Sequence, residues 1–275
     1  MENLQPTPAA SRRGYTVKSL VKALNILELL AEGDESTYTL TQLSRRLHLH
    51  ISTVHRLLAN LVSHGFVEEA PGSLGYQLSF KVLRMGLRVL NRLDFPRLAE
   101  PLLQELNLET QEAVHMAILQ GTKAISIDKY GSPGAMDQTV RLGEALPLHC
   151  TGVGKTLLAY QGRESLTQVA RTSGLPRFTP HTITNLANLR KELDRIREQG
   201  YALDDEETVE GLRSVAGPLF DHTNRVIAAF GVAGPVSRLA PPRLSEIIRL
   251  VCAASQQISF RLGYRGRGWR LGTGS

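Results

Sequence analysis

The chain has 275 residues, 32 Lys and Arg against 26 Asp and Glu, a formal charge of +6, and 42% hydrophobic and 21% charged side chains; this ordinary globular composition excludes a chain disordered throughout and suits one large domain or two modest ones. Two cysteines, Cys150 and Cys252, are too few for a disulfide framework. The start Met1–Pro6 has no basic-then-apolar run, and the longest apolar stretch, Val226–Gly234, is too short for a bilayer, so a reducing cytoplasmic setting without a membrane partner is expected.

Residues 1–14, with Pro6, Pro8 and Gly14, read as a flexible arm. Leu20, Ala23, Leu24, Leu27, Leu30 and Ala31 then recur at helical spacing behind Ser19 as N-cap, and Gly33-Asp34 ends that helix. A short helix over Leu40–Leu47 has Thr39 as its cap, and after His48-Leu49-His50 a third runs from Ser52 to His64, stopped by Gly65. Phe66–Glu68 and Tyr76–Leu78 read as two short strands around a turn at Pro71–Gly75. Helix, short helix, tight turn, helix and hairpin is the winged helix-turn-helix order, predicting a DNA-binding domain over residues 15–78. Val54, Leu57, Leu58 and Leu61 take the core face of the third helix, which directs Ser52, Thr53, His55 and Arg56 outward at its N-terminal end, where a recognition helix reads base edges. A plain solvated helix face capped by Ser52 is the competing reading of the same pattern. Arg45 and Arg46 are expected on backbone phosphate, and the wing at Ser73 and Gly75 beside them.

Residues 79–94 predict a linker helix with an apolar line (Phe80, Leu83, Leu87, Leu90) and a basic one (Lys81, Arg84, Arg88, Arg92) that could lie towards phosphates, and Phe95-Pro96 marks the boundary. Beyond it the pattern is mixed: helices at Arg97–Glu109, Gly152–Tyr160, Leu186–Gln199 and Pro241–Leu262, and strand pairs at Ala113–Gln120 with Ala124–Tyr130 and at Val215–Phe220 with Val226–Ala233. This predicts a second domain over 95–263, an α+β class with an antiparallel sheet flanked by helices, and a flexible basic tail over 264–275. Net charge does not separate the parts: residues 1–94 hold 11 basic and 8 acidic side chains and the remainder 21 and 18, so each carries +3.

Leu40–Leu43 through Ser52–Leu58, Pro147–Lys155, Gly200–Glu207 and Gly211–Ala216 together resemble the motifs of IclR-family transcriptional regulators, in the right order over residues 15–263. The resemblance implies a winged helix, a linker helix and a GAF-like C-terminal domain that binds a small-molecule effector. It also implies a homodimer, or dimer of dimers, on a palindromic double-stranded DNA operator. It places Gly152, Val153, Asp204, Ser214, Gly231 and Ala233 at effector-pocket positions, with the helix beginning at Gly152 offering its amides to a carboxylate. Gly231 and Ala233 stand where some relatives carry Ser, so a wider, more apolar pocket is expected, suited to an aromatic or sugar-derived acid rather than a tiny keto acid. In the turn, His48 and His50-Ile51 replace the Gly and Pro-Lys usual in the family, and His48 is expected to take the left-handed backbone.

Other chemistry fits less well. Gly152–Thr156 resembles the end of a phosphate-binding loop, which would make the chain a nucleotide-binding enzyme, but that motif needs Gly where His149 stands. Asp204–Glu207 lacks partner histidines for a metal and reads as a helix start or solvated run, the eight histidines have no zinc spacing, and Cys150 has no orienting group for nucleophilic work. No catalytic residue, metal or cofactor is therefore expected. A constitutive architectural DNA-binding protein without an effector is the remaining alternative.

Overall fold

Ile26, Tyr38, Leu43, Val54, Leu58 and Val67 come from five elements and meet in one small core. The computed structural model describes residues 17–33, 35–72, 74–90, 92–131 and 140–266, and the chain divides into two units between Arg92 and Leu93. The first unit contains α1 (Lys18–Glu32), β1 (Tyr38–Thr39), α2 (Leu40–Arg46), α3 (Ile51–Ser63), β2 (Val67–Glu69), β3 (Gly75–Leu78) and α4 (Phe80–Leu90). Thr39 closes a capping box with Gln42: its hydroxyl accepts the Gln42 N–H, while the Gln42 amide oxygen accepts the Thr39 N–H at 2.7 Å. His48 adopts φ 52°, as the turn requires, and Gly65 follows α3 with φ 69°, a left-handed geometry that favours glycine.

Three sequence expectations change here. Ser19 lies inside α1, whose N-cap is Val17 without a side-chain bond. The N-cap of α3 is His50, whose Nδ1 accepts the Ser52 N–H, so Ser52 is not the cap. The hairpin is one part of a three-stranded sheet in the order β1-β3-β2, because Tyr38 and Thr39 pair with Tyr76 and Gly75. The linker helix keeps its apolar line in the open: Phe80 is 79% exposed and Leu83 54%.

The second unit contains α5 (Phe95–Thr110), β4 (Ala113–Gln120), β5 (Lys123–Tyr130), β6 (Ala145–Pro147), α6 (Gly152–Ala159), α7 (Arg163–Thr172), α8 (Leu186–Gln199), β7 (Ala202–Asp205), β8 (Leu212–Phe220), β9 (Val226–Pro235) and α9 (Arg243–Arg261). The strands form one antiparallel sheet in the order β6-β5-β4-β9-β8-β7, so the class is α+β. Alternation along β4 sorts the two faces. Val114 and Met116 join Leu103 of α5 and Val251 of α9, while Ala117 joins Val153 and Leu157 of α6 and Leu189 of α8. The α6-facing side is floored by small residues of the central strands, among them Ala216, Ala229 and Gly231. Strands β6 and β7 and helix α7 were not anticipated from the sequence.

Candidate functional sites

At the first site the core face of α3 fixes what the opposite face presents. Val54 and Leu58 are buried and Leu57 and Leu61 pack against the core, leaving Ser52, His55 and Arg56 exposed and Thr53 half-buried. Ser52 is partly engaged locally, its hydroxyl 2.7 Å from His50 Nδ1. Arg45 and Arg46 are exposed in the last turn of α2, and the Arg46 guanidinium lies over the Tyr38 ring, 5.6 Å from its centroid. Two expectations need correction. Gly75 is buried, its carbonyl accepting the Ala70 N–H at 2.8 Å, so it anchors the wing while Leu74 is exposed; Ser73 lies outside the described residues. Lys81 is not available to phosphate, because its ammonium donates to the His64 carbonyl at 2.6 Å and sits 4.3 Å from the centre of the Phe66 ring. It closes the corner after α3.

The second site forms where α6 begins over β8 and β7. Thr151 caps α6, accepting the Gly154 N–H and donating to the Pro147 carbonyl at 2.6 Å. A Cβ at Gly154 would stand 2.4 Å from that same carbonyl oxygen, so only glycine fits. A Cβ at Gly152 would stand 2.7 Å from Ser214 Oγ. Ser214 pairs in register with Asp204 on one side and Ala233 on the other, and Gly231 lies one row along, beside Val153. Asp204, Ser214, Gly231 and Ala233 therefore share the side of the sheet that Gly152 and Val153 of α6 cover. Asp204 does not start a helix or face solvent, as its acidic neighbourhood suggested. It is buried at the end of β7, where Oδ1 accepts the Glu207 N–H at 2.9 Å and Oδ2 the Thr208 hydroxyl at 2.7 Å. Burial raises its pKa, against the pull of the Thr208 bond and Lys155. Gly231 opens no extra room either, since an added Cβ would already meet Ala216 Cβ at 3.3 Å and Val153 Cγ1 at 3.5 Å.

Behind this cluster lies an ion pair that the sequence did not reveal. Lys155 is fully buried, donating to the Leu203 carbonyl at 2.6 Å and to Glu207 Oε1, with Glu192 Oε1 at 3.5 Å. Burial pushes Glu207 up to about 7, although the Lys155 ammonium pulls the other way. A lysine so enclosed cannot cradle a nucleotide phosphate, which removes the phosphate-loop reading. Cys150 is buried and burial pushes its thiol up to about 12, the opposite of an activated nucleophile. No group of three potential metal ligands occurs among the described residues.

His115 of β4 is also on the α6-facing side and only 6% exposed. Burial, with the Lys129 ammonium opposite, lowers its pKa to about 4. A base whose pKa falls on folding binds its proton more weakly when folded. Its contribution is complete above the unfolded value near 6.5 and is lost as pH falls towards 4. Between pH 7 and pH 5 this amounts to about 2 kcal/mol. Urea unfolding of the parent and of His115→Gln at both pH values should show a drop in the parent that is smaller by about that amount in the variant.

The model for the bacterial transcriptional regulator IclR C-terminal domain matches residues 87–260, and that for the IclR helix-turn-helix domain matches residues 19–71. The HTH-type transcriptional regulator KdgR of Escherichia coli is 35% identical over 249 residues, covering 90% of this chain and 94% of that protein. The crystal structure of the Thermotoga maritima IclR superposes with a TM-score of 0.71 at 27% identity, covering 90% of this chain and all of the other. The same fold occurs in an IclR homologue from Microbacterium hydrocarbonoxydans complexed with 4-hydroxybenzoate, with a TM-score of 0.77 at 23% identity, covering 89% of this chain and 98% of that one.

Proposed function

From the premise that this chain belongs to the IclR family of helix-turn-helix transcriptional regulators, we propose that it binds a palindromic operator as a homodimer and releases or grips it in response to a small organic acid. The observation that carries the reading is the pairing of an exposed, polar α3 N-terminal end with a second unit whose longest sheet face is roofed by the N-terminus of α6. Ser52, Thr53, His55 and Arg56 read base edges in the major groove, Arg45 and Arg46 hold phosphates, and the wing flanks them. The acid's carboxylate takes the first amides of α6 at Gly152 and Val153, with Ser214, Asp204, Gly231 and Ala233 around it. A ligand there biases the placement of two winged helices, a coupling typically of about 1–3 kcal/mol. The chain acts in the cytoplasm and performs no catalysis; no described helix is long and apolar enough to cross a membrane.

Dimerisation is supported by apolar side chains left in the open: Phe80, Leu83 and Leu87 on α4 and Leu20 and Leu24 on α1. Leu83→Glu is expected to weaken self-association about tenfold, a cost of ~1.4 kcal/mol, read by sedimentation at several concentrations. Unchanged association would move the interface elsewhere. The whole reading is tested by selecting binding sites from random DNA at physiological salt and titrating small acids into the selected complex. Recovery of sites without two-fold symmetry, or without sequence preference, defeats it.

A further inference from the structure

Two polar side chains, Ser126 and His115, are buried on the α6-facing side of the sheet. Ser126 of β5 is 1% exposed, and its Oγ has no hydrogen bond among the described residues. His115 of β4 is more than nine-tenths buried. Both belong to one face. Ser126 pairs directly with Ala117, which packs against α6, and His115 lies two residues before Ala117 on an unbroken stretch of β4. An irregularity in the register opposite Met116 and Ala117 turns Lys129, three residues after Ser126, to the position paired with His115. Beside His115 on the other flank is Gly231, which brings no polar side chain to it.

A buried hydroxyl or imidazole left unbonded costs about 1–3 kcal/mol, so such groups are ordinarily satisfied by protein, water or ligand. A neutral imidazole offers one donor and one acceptor, and a serine hydroxyl offers both as well. The group that satisfies such a pair best is another hydroxyl, which can donate to one and accept from the other. His115 stands two strands from β8 and two residues along from the row of Ser214, roughly 12 Å from it across the sheet. Hydrogen bonds of about 2.8 Å at each end leave a ligand body of about 6 Å, the size of a benzene ring or a short carbon chain.

We propose that His115 and Ser126 are a second contact point of the effector site, binding a hydroxyl at the end of a hydroxycarboxylic acid opposite its carboxylate. The inference rests on the effector reading given above and specifies the far end of the ligand. Lys129 makes the surroundings of His115 electropositive, and this favours an acid over a neutral alcohol.

The test uses the full chain and two probe pairs that differ by one hydroxyl: 4-hydroxybenzoate against benzoate, and 6-hydroxyhexanoate against hexanoate. Calorimetry on the parent should show at least one hydroxylated acid bound about tenfold more tightly than its partner. Ser126→Ala and His115→Gln should each erase most of that preference while leaving affinity for the unhydroxylated acid within about twofold. Ser126→Ala removes only an oxygen, so it remains informative should His115→Gln fail to fold. Acids that bind the parent without hydroxyl preference, or a preference that survives both substitutions, overturn this inference and leave the effector reading standing. Failure of all four acids to bind the parent overturns both.

Discussion

Lys155→Ala is expected to destabilise the second unit by about 3–5 kcal/mol, the usual cost of removing one partner from a buried ion pair. The ammonium has no solvent exposure and faces three carboxylates, of Glu207, Glu192 and Asp204. Glu207 Oε2 has no hydrogen bond among the described residues, so the carboxylate depends on Lys155 for its compensation. Without the ammonium, Glu207 can relieve its burial only by taking up a proton. An acid whose pKa is raised on folding favours the folded state at low pH, and loss of the Lys155 pull raises it further from about 7. The defect should therefore be larger at pH 8 than at pH 6, and Glu207→Gln should restore part of it at pH 8. Urea unfolding of the parent, the single variants and Lys155→Met with Glu207→Leu measures this; the double exchange should come close to parental stability, because two apolar side chains need no compensation. A Lys155→Ala protein within 1 kcal/mol of the parent at pH 8 would overturn the account.

That ion pair also marks where reading the sequence ran out. Elements fixed by near neighbours were legible: the Thr39–Gln42 box, the αL turn at His48, the stop at Gly65 and the end of α8 at Gly200 each depend on residues within one turn of chain. Lys155 and Glu207 are separated by 52 positions. In sequence, one resembled part of a phosphate loop and the other a solvated acidic run. Neither contains information about what lies opposite until β7 is laid beside β8. Short strands failed for the same reason: β1 has two residues and β6 three, and both exist only because β3 and β5 offer them backbone partners. Periodicity in α1 correctly indicated a helix but not its covering, and Leu20 and Leu24 remain exposed. The six effector positions came from family motifs; the sheet gathers Asp204, Ser214, Gly231 and Ala233 on one face because strand side chains alternate, and α6 brings Gly152 and Val153 over it. His115 and Ser126 escaped notice because a strand-borne histidine or serine has no local signal; their burial on one face of the sheet is visible only in three dimensions.

The α3 surface yields the other large effect, and here the contrast between two arginines is decisive. Arg56 is exposed one turn into α3, on the face opposite Val54 and Leu58, where a guanidinium can reach O6 and N7 of a guanine with two parallel bonds. Arg56→Ala is expected to weaken operator binding by about 1–3 kcal/mol, or 5- to 150-fold, and to relax preference at one position of each half-site. Arg45 is at the end of α2, and the proposed reading sets it on backbone phosphate rather than base edges. Arg45→Ala should therefore weaken all sequences about equally and lower the salt dependence by about one counterion for each subunit. Arg46 belongs to a third class, since its stacking on Tyr38, a fully buried ring, ties it to the core besides its proposed phosphate contact. Its removal should lower the stability of the first unit by about 0.5–1 kcal/mol in addition to its effect on binding. Gel-shift titrations of the selected operator and of single-base variants at two salt concentrations separate the three. A uniform loss for Arg56→Ala together with a position-specific loss for Arg45→Ala would reverse the orientation of the helix-turn-helix on its site. The two outcomes differ in pattern as well as in size, so a modest loss of affinity in either variant is enough to distinguish them.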